Sequence, residues 1–386
     1  MKIAIVANTA WYLYNFRLNL AKSLRADGHE PVFISPDDPY VAKLQGAGFT
    51  HRHWTLSRTA TSPLGEIRSI LDLRRHLKLD GFDAVLSFTP KGNIYAGAAL
   101  LGQRCVFLPN ISGLGAVFSA GGAMAALVRT LYRLLVSPRA TRVFFQNEDD
   151  LAQFIAARII NPARTERLMG SGVDLQRFRL CPLPSALPAA NPDNVTFLLV
   201  ARLIPEKGIP EYVEAARILR ARGARARFQL LGAIDEERGL SLAQIRAWQD
   251  EGVIHYLGTS DDVPAVMAQA DCLVLPSYYR EGVPRSLIEG TAMGRPVITT
   301  DMPGCRDVVQ QGATGWLCEA RNLPSLCQAL QEFLDMPASQ RSAMGALGRE
   351  RAVTLFDETA VIERYAVALR QHGPVANAPA KPCDGL

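Results

Sequence analysis

The sequence predicts an α/β protein built of two doubly wound domains in tandem, and three observations carry that expectation. Short apolar runs rich in β-branched residues alternate with helix-like stretches along most of the chain. Continuous apolar strands separated by helices belong to parallel sheets covered on both faces. The alternation lapses in LQRFRLCPLPSALPAANPDN (175–194) and then restarts, which marks a linker. A length of 386 residues also exceeds what one hydrophobic core ordinarily serves.

Taken in order, KIAIVAN (2–8) is the first strand and YNFRLNLAKSLRADG the helix after it, closed by Gly28. EPVFISP, DAVLSF, CVFLPN and RVFFQN follow as buried strands of an N-terminal domain spanning residues 1–180. A linker over 181–194 leads to a second domain over 195–357. Its strands are VTFLLVA, RFQLLGA, GVIHYLG, DCLVLP and PVITT, with the helix IPEYVEAARILRARG after the first. Residues 358–372 are expected as a helix returning to the N-terminal domain. The tail 373–386, GPVANAPAKPCDGL, has little to bury and is expected to be disordered.

Composition narrows the setting. Seven cysteines (105, 181, 272, 305, 318, 327 and 383) fall in no C-x-x-C or zinc-type pairing, so buried thiols in a reducing compartment are expected. The opening MKIAIVANTA reads as a strand and not as a signal peptide. Between Arg104 and Arg129 the chain carries no charge and is long enough by count to span a bilayer. Pro109, Asn110, Ser112 and the glycines of that stretch break it, and lipid would leave such a loop's backbone unsatisfied. It therefore reads as strand, Gly-rich loop and helix. Charge is unevenly shared: residues 1–186 hold 22 Lys/Arg against 13 Asp/Glu, and the remainder 20 against 24. The basic front half and mildly acidic back half face different partners on this reading.

In open α/β sheets, ligands sit outside the carboxyl ends of the strands, so the loops there carry the chemistry. After VTFLLVA comes RLIPEKG, with Arg202 and Lys207 beside a helix N-terminus. Two cations with a helix dipole make a cradle for a diphosphate, although a solvated basic loop has the same composition. After DCLVLPS comes YYREGVPRSLIEG, where Glu281 and Glu289 bracket seven residues and Gly282-Val283-Pro284 turns the chain. One carboxylate then sits at the mouth of a helix and the other about two turns along it. Two acids so placed can read two pairs of hydroxyls, with the backbone N–H groups of Gly282 and Val283 facing phosphate between them. No Walker A motif, no G-x-G-x-x-G after the first strand and no D-x-D occurs, which argues against nucleoside-triphosphate chemistry, a dinucleotide dehydrogenase and a bridging divalent ion. His51 and His53 lack a third ligand and read as a surface strand.

These segments resemble the retaining family 4 glycosyltransferases of GT-B fold. EGVPRSLIE matches their E-x7-E motif, VARLIPEKG their phosphate-binding segment, and GSGVDLQRF (170–178) their entry to the linker, with Ser171 in place of Asn. ITTDMPGCRDVVQQGATGWLCE is similar to the segment that closes their nucleotide side, and NTAWYLYNFRLNL, FTPKGNIYAG and NISGLGAVF resemble a narrower bacterial group acting on polyprenyl-diphosphate glycans. The resemblance implies that Arg202 and Lys207 neutralise the donor diphosphate, that Glu281 contacts the transferred sugar and that Glu289 contacts the ribose. Gly282, Val283 and Pro284 would frame the donor with backbone groups. The donor would be a nucleotide-sugar, UDP-linked, with no cofactor and no metal.

The glycine-rich loop common in relatives is replaced here by ANTAWYLYNFR, which brings in Arg17. Lys91 in TPKGN follows a strand and is a second acceptor-side candidate. Arg129 and Arg133 sit among Leu127, Leu131 and Leu134, and Arg68, Arg74, Arg75 and Lys78 among further leucines. Basic amphipathic helices of this kind lie in anionic interfaces, though sheet-covering helices with solvated arginines look alike. The expected partners are a lipid-linked glycan acceptor and the inner face of the cell membrane, with no nucleic acid. An epimerase of the same fold and a non-catalytic nucleotide-sugar-binding protein are the competing readings.

Overall fold

The computed structural model describes residues 1–56, 63–115, 122–187, 194–236 and 239–373. The tail after Gly373, the middle of the linker at 188–193 and part of the uncharged stretch at 116–121 lie outside the described residues.

The N-terminal half runs β1 (Lys2–Val6), α1 (Ala10–Ala26), β2 (Glu30–Ser35), α2 (Tyr40–Gly46), β3 (Thr50–His53), α3 (Pro63–Leu79), β4 (Ala84–Phe88), α4 (Pro90–Ala99), β5 (Val106–Ile111), α5 (Gly122–Leu131), β6 (Val143–Phe145), α6 (Glu148–Ala156) and β7 (Thr165–Arg167). The second half runs β8 (Val195–Val200), α7 (Ile209–Ala221), β9 (Ala226–Leu231), α8 (Leu242–Asp250), β10 (His255–Tyr256), α9 (Val263–Met267), β11 (Cys272–Leu275), α10 (Arg285–Ala292), β12 (Val297–Thr300), β13 (Gly315–Cys318), α11 (Leu323–Asp335), α12 (Ala338–Leu355) and α13 (Glu358–His372). Both sheets are parallel, ordered β3-β2-β1-β4-β5-β6-β7 and β10-β9-β8-β11-β12-β13. The fold is therefore two doubly wound domains, the architecture that the strand–helix alternation predicts.

The strands read as unbroken apolar runs because both faces are covered. Ile3 and Ile5 of β1 point into one core with Leu86, Leu108 and Phe144, while Ala4 and Val6 point into the other with Val85 and Phe107. The second domain packs one larger core around Phe197, Leu199, Leu273 and Ile298. Part of the Pro/Ala-rich stretch is anchored: the buried Asp271 carboxylate accepts the N–H groups of Ser185 and Thr196 at 2.8 and 2.9 Å.

The last helix, α13, buries Val361, Tyr365, Ala368 and Leu369 in the N-terminal core. The Tyr365 ring lies 4.5 Å from that of Phe144, and its hydroxyl accepts from Asn110 at 2.8 Å. To get there the chain runs beside the first crossing, where the Val173 N–H donates to Phe356 O at 2.7 Å. Two crossings thus hold the domains with the carboxyl ends of their strands facing.

Candidate functional site

Each sheet reverses direction once, between β1 and β4 and between β8 and β11. Chain leaving neighbouring strands in opposite directions opens a crevice at such a switch point. In the second domain this crevice is lined by the loop after β8, which carries Arg202 and Lys207, and the loop after β11, which carries Glu281.

A carbonyl staples the two loops together. Glu206 O accepts the N–H groups of Tyr278 and Tyr279 at 3.0 and 3.1 Å and the Ser277 hydroxyl at 3.2 Å. Behind the staple, the Lys207 ammonium and the Glu281 carboxylate form an ion pair, both side chains largely buried. Ser277 Oγ donates to the same Glu281 oxygen at 3.0 Å. Beside the pair lies Cys305, fully buried, its thiol pushed up to about 12 by burial and then by the Glu281 charge. Ion pairs removed from water need such additional donors to repay desolvation.

Glu289 sits about one turn into α10 and pairs with Arg285, Nε to Oε1 at 2.9 Å. Burial raises its carboxyl above the usual range, opposed by the charges of Arg285 and Arg177. The Arg285 guanidinium lies 5.1 Å from the centre of the Phe16 ring on α1, so this carboxylate faces the N-terminal domain. Arg202 is half-exposed and 3.4 Å from Asp235 in the loop after β9. Of the four groups singled out in the sequence, Lys207 and Glu281 meet; Glu289 and Arg202 each hold another partner.

The backbone donors expected at Gly282 and Val283 are covered by the N-terminal domain. Val283 N–H faces Gln146 Oε1 at 3.4 Å. A Cβ on Gly113 would come within 2.4 Å of Gly282 N, so two segments of the chain touch backbone to backbone there. Pro284 is the extended residue that opens α10.

The acceptor-side candidates divide. Arg17 is buried, not an open surface cation: it donates to Tyr12 Oη at 2.8 Å and Ser171 Oγ at 3.2 Å, stacked 4.0 Å from the Phe88 ring centre. The reason is its place on the inward stripe of α1 with Leu13, Leu20, Ala21 and Leu24. Lys91, in the first turn of α4, pairs with Glu66 at 3.1 Å. Arg133 donates to Ala157 O at 2.6 Å and Arg158 O at 3.3 Å, closing the carboxyl end of α6. Arg129 on α5 is half-buried. His53 pairs with Asp37 at 2.9 Å, and no three-residue metal-ligand cluster occurs among the described residues.

Two doubly wound domains joined in tandem define the GT-B architecture. Two family models tile the chain: "Glycosyl transferase 4-like domain" matches residues 15–169 and "Glycosyl transferases group 1" matches 187–351. The chain is 26% identical to the N,N'-diacetylbacillosaminyl-diphospho-undecaprenol alpha-1,3-N-acetylgalactosaminyltransferase of Campylobacter jejuni, over 95% of this chain and 97% of that one. It is 24% identical to the UDP-Gal:alpha-D-GlcNAc-diphosphoundecaprenol alpha-1,3-galactosyltransferase of Escherichia coli, over 71% and 72%. Anabaena HepE, solved with UDP and glucose, superposes with a TM-score of 0.78 at 16% identity, over 96% of this chain and 100% of that one. The chain belongs to the family 4 glycosyltransferases.

The tightness around Glu281 gives a stability prediction. At Gly304 (φ +80°) a Cβ would sit 1.7 Å from Gly282 O, whereas Gly312 (φ +73°) has open space. Backbone strain is common to both sites, so the difference between Gly304→Ala and Gly312→Ala isolates the clash. Gly304→Ala is expected to cost about 1–3 kcal/mol more in chemical denaturation, the usual range for overpacking. Equal losses would mean that the two loops separate freely.

Proposed function

We propose that this glycosyltransferase moves a sugar, with retention of configuration and without a metal ion, from a UDP-linked donor to a polyprenyl-diphosphate glycan. The observation that carries the reading is the Lys207–Glu281 pair at the β8/β11 switch point. Without donor, each group neutralises the other. A donor diphosphate would take over Lys207, assisted by Arg202 and the N-terminal ends of α7 and α10, and release Glu281 toward the sugar hydroxyls. Charge grows on the leaving phosphate as the glycosidic bond breaks, and a cation already fixed there stabilises that transition state. Glu289, exchanging Arg285 for hydroxyls, would hold the ribose.

In this reaction the bond from the anomeric carbon to the phosphate oxygen breaks, and the bond to the acceptor oxygen forms on the same face. The acceptor proton passes to the departing phosphate, and UDP leaves. Glu281, which keeps the Ser277 hydroxyl on Oε1, is assigned to the sugar hydroxyls and not to attack on the anomeric carbon. The acceptor class is supported by the names of the Campylobacter and Escherichia coli relatives, both of which act on diphospho-undecaprenol glycans.

The N-terminal domain supplies a face suited to lipid. Leu64, Ile67 and Leu71 on α3 and Met124 and Leu127 on α5 are exposed, as is Leu134. Arg68, Arg75 and Arg129 accompany them, and apolar side chains beside cations are the make-up of a peripheral anionic interface. No helix among the described residues is long and apolar enough to cross a membrane. Contact with the inner face of the cell membrane would bring the lipid-linked acceptor to the cleft.

Incubating the chain with radiolabelled UDP-sugars, a polyprenyl-diphosphate saccharide and EDTA tests the reaction. Extension by one sugar is expected, lowered about 10²-fold or more by Glu281→Gln, the scale seen when one transition-state contact is removed. Sugar interconversion without acceptor would favour an epimerase, and donor binding without turnover a binding protein. For the membrane face, Met124→Glu with Leu127→Glu should abolish flotation on anionic vesicles. Unchanged flotation would remove α5 from the interface.

A further inference from the structure

Four consecutive residues, 280–283, are held from the other domain, and nothing in the donor reading requires this. Asn147 is fully buried and caps α6 by accepting the Asp150 N–H at 2.8 Å. Capping uses only its carbonyl oxygen. The amide nitrogen reaches across the cleft and donates to Glu281 O at 2.9 Å and Gly282 O at 3.3 Å. Asp150, also fully buried, accepts from Asn147 Nδ2 on one oxygen at 3.0 Å and from Arg280 Nη2 on the other at 2.8 Å. Gly115 N–H donates to Arg280 O at 3.2 Å, and Gln146 Oε1 faces Val283 N–H.

A buried carboxylate is a costly way to finish a helix cap, because it must be paired to be tolerated at all. Burial indeed raises the Asp150 carboxyl, against the opposing pull of Asn147 and Arg280. Its one charged partner is the residue next to Glu281, so the cost is met in part at the donor loop and in part by the Asn147 amide. Neighbouring pairs repeat the pattern: Arg306 binds Asp149 with both oxygens at 3.1 Å, and Arg167 binds Asp307 at 2.9 Å. Acids and an arginine around α6 thus grip two loops of the second domain.

We infer that Asn147 and Asp150 are positioning residues for the donor loop, fixing the backbone of 280–283 so that Glu281 faces the cleft only while the two domains are closed. The inference rests on the proposed function, in which that loop receives the donor. Opening the cleft withdraws the partners of Arg280, Glu281 and Gly282 together. The N-terminal domain, which takes the acceptor, thereby completes the donor site.

The test uses the full chain, with UDP as probe and amide hydrogen exchange as a second readout. Asn147→Ser keeps a capping oxygen for α6 but loses the reach to Glu281 O, which separates capping from positioning. Asp150→Asn removes the charge facing Arg280. Both variants should speed exchange in 279–284 about tenfold while α6 and the cores stay protected, and weaken UDP binding by a similar factor. Exchange in 279–284 at the wild-type rate, or raised only along with the whole chain, overturns the inference; so does unchanged UDP affinity in a loosened loop. If the unaltered chain fails to bind UDP, the donor reading falls instead, and exchange still decides whether the clasp exists.

Discussion

Burying the backbone of residues 280–283 between two domains is the constraint from which the rest of the structure follows. Peptide groups shut away from water must find partners, since each one left unpaired costs free energy comparable to a lost hydrogen bond. Here Asn147, Gln146 and Gly115 supply those partners from the N-terminal domain, more than a hundred residues away. The close approach also leaves no room for side chains, which accounts for Gly113, Gly282 and Gly304 meeting at one point. The backbone of 280–283 is thereby held by contacts with the N-terminal domain and not by the loop itself.

Within that frame, the electrostatics are arranged so that each charge at the site is already matched. Lys207 holds Glu281, Arg285 holds Glu289 and Arg202 holds Asp235. A nucleotide-sugar entering the crevice would exchange partners with existing ion pairs and would not have to create charges in a dry cleft. That exchange suits a reaction whose difficulty lies in charge building up on the leaving phosphate. It also explains why a cluster of cations and acids can remain folded before any ligand arrives.

Much of the architecture was legible in the sequence because sheets covered on both faces leave an unmistakable trace. The runs IAIV, FLLV and CLVL are apolar throughout, and the loops after them carry the polar groups. The pairing of Glu281 with Lys207 could be anticipated only as a shared ligand, since loops after separate strands meet through topology. Arg285 was within reach of sequence reasoning, four residues before Glu289 on one helix face. Arg17 was too: its stripe of Leu13, Leu20 and Leu24 marks the buried side of α1. The clasp from Asn147 and Asp150 was not, because NEDD reads as an ordinary capped helix start and its distant partner leaves no local pattern. Short elements were harder still; GVIHYLG yields only a two-residue strand, His255–Tyr256.

The most direct test is the structure of the chain with an unreactive UDP-sugar bound. The account predicts the diphosphate within about 3 Å of Lys207, hydrogen-bond distance for a charged pair, with Glu281 turned from the lysine to the sugar hydroxyls. A donor seated away from the β8/β11 crevice, with Lys207 and Glu281 still paired, would contradict it.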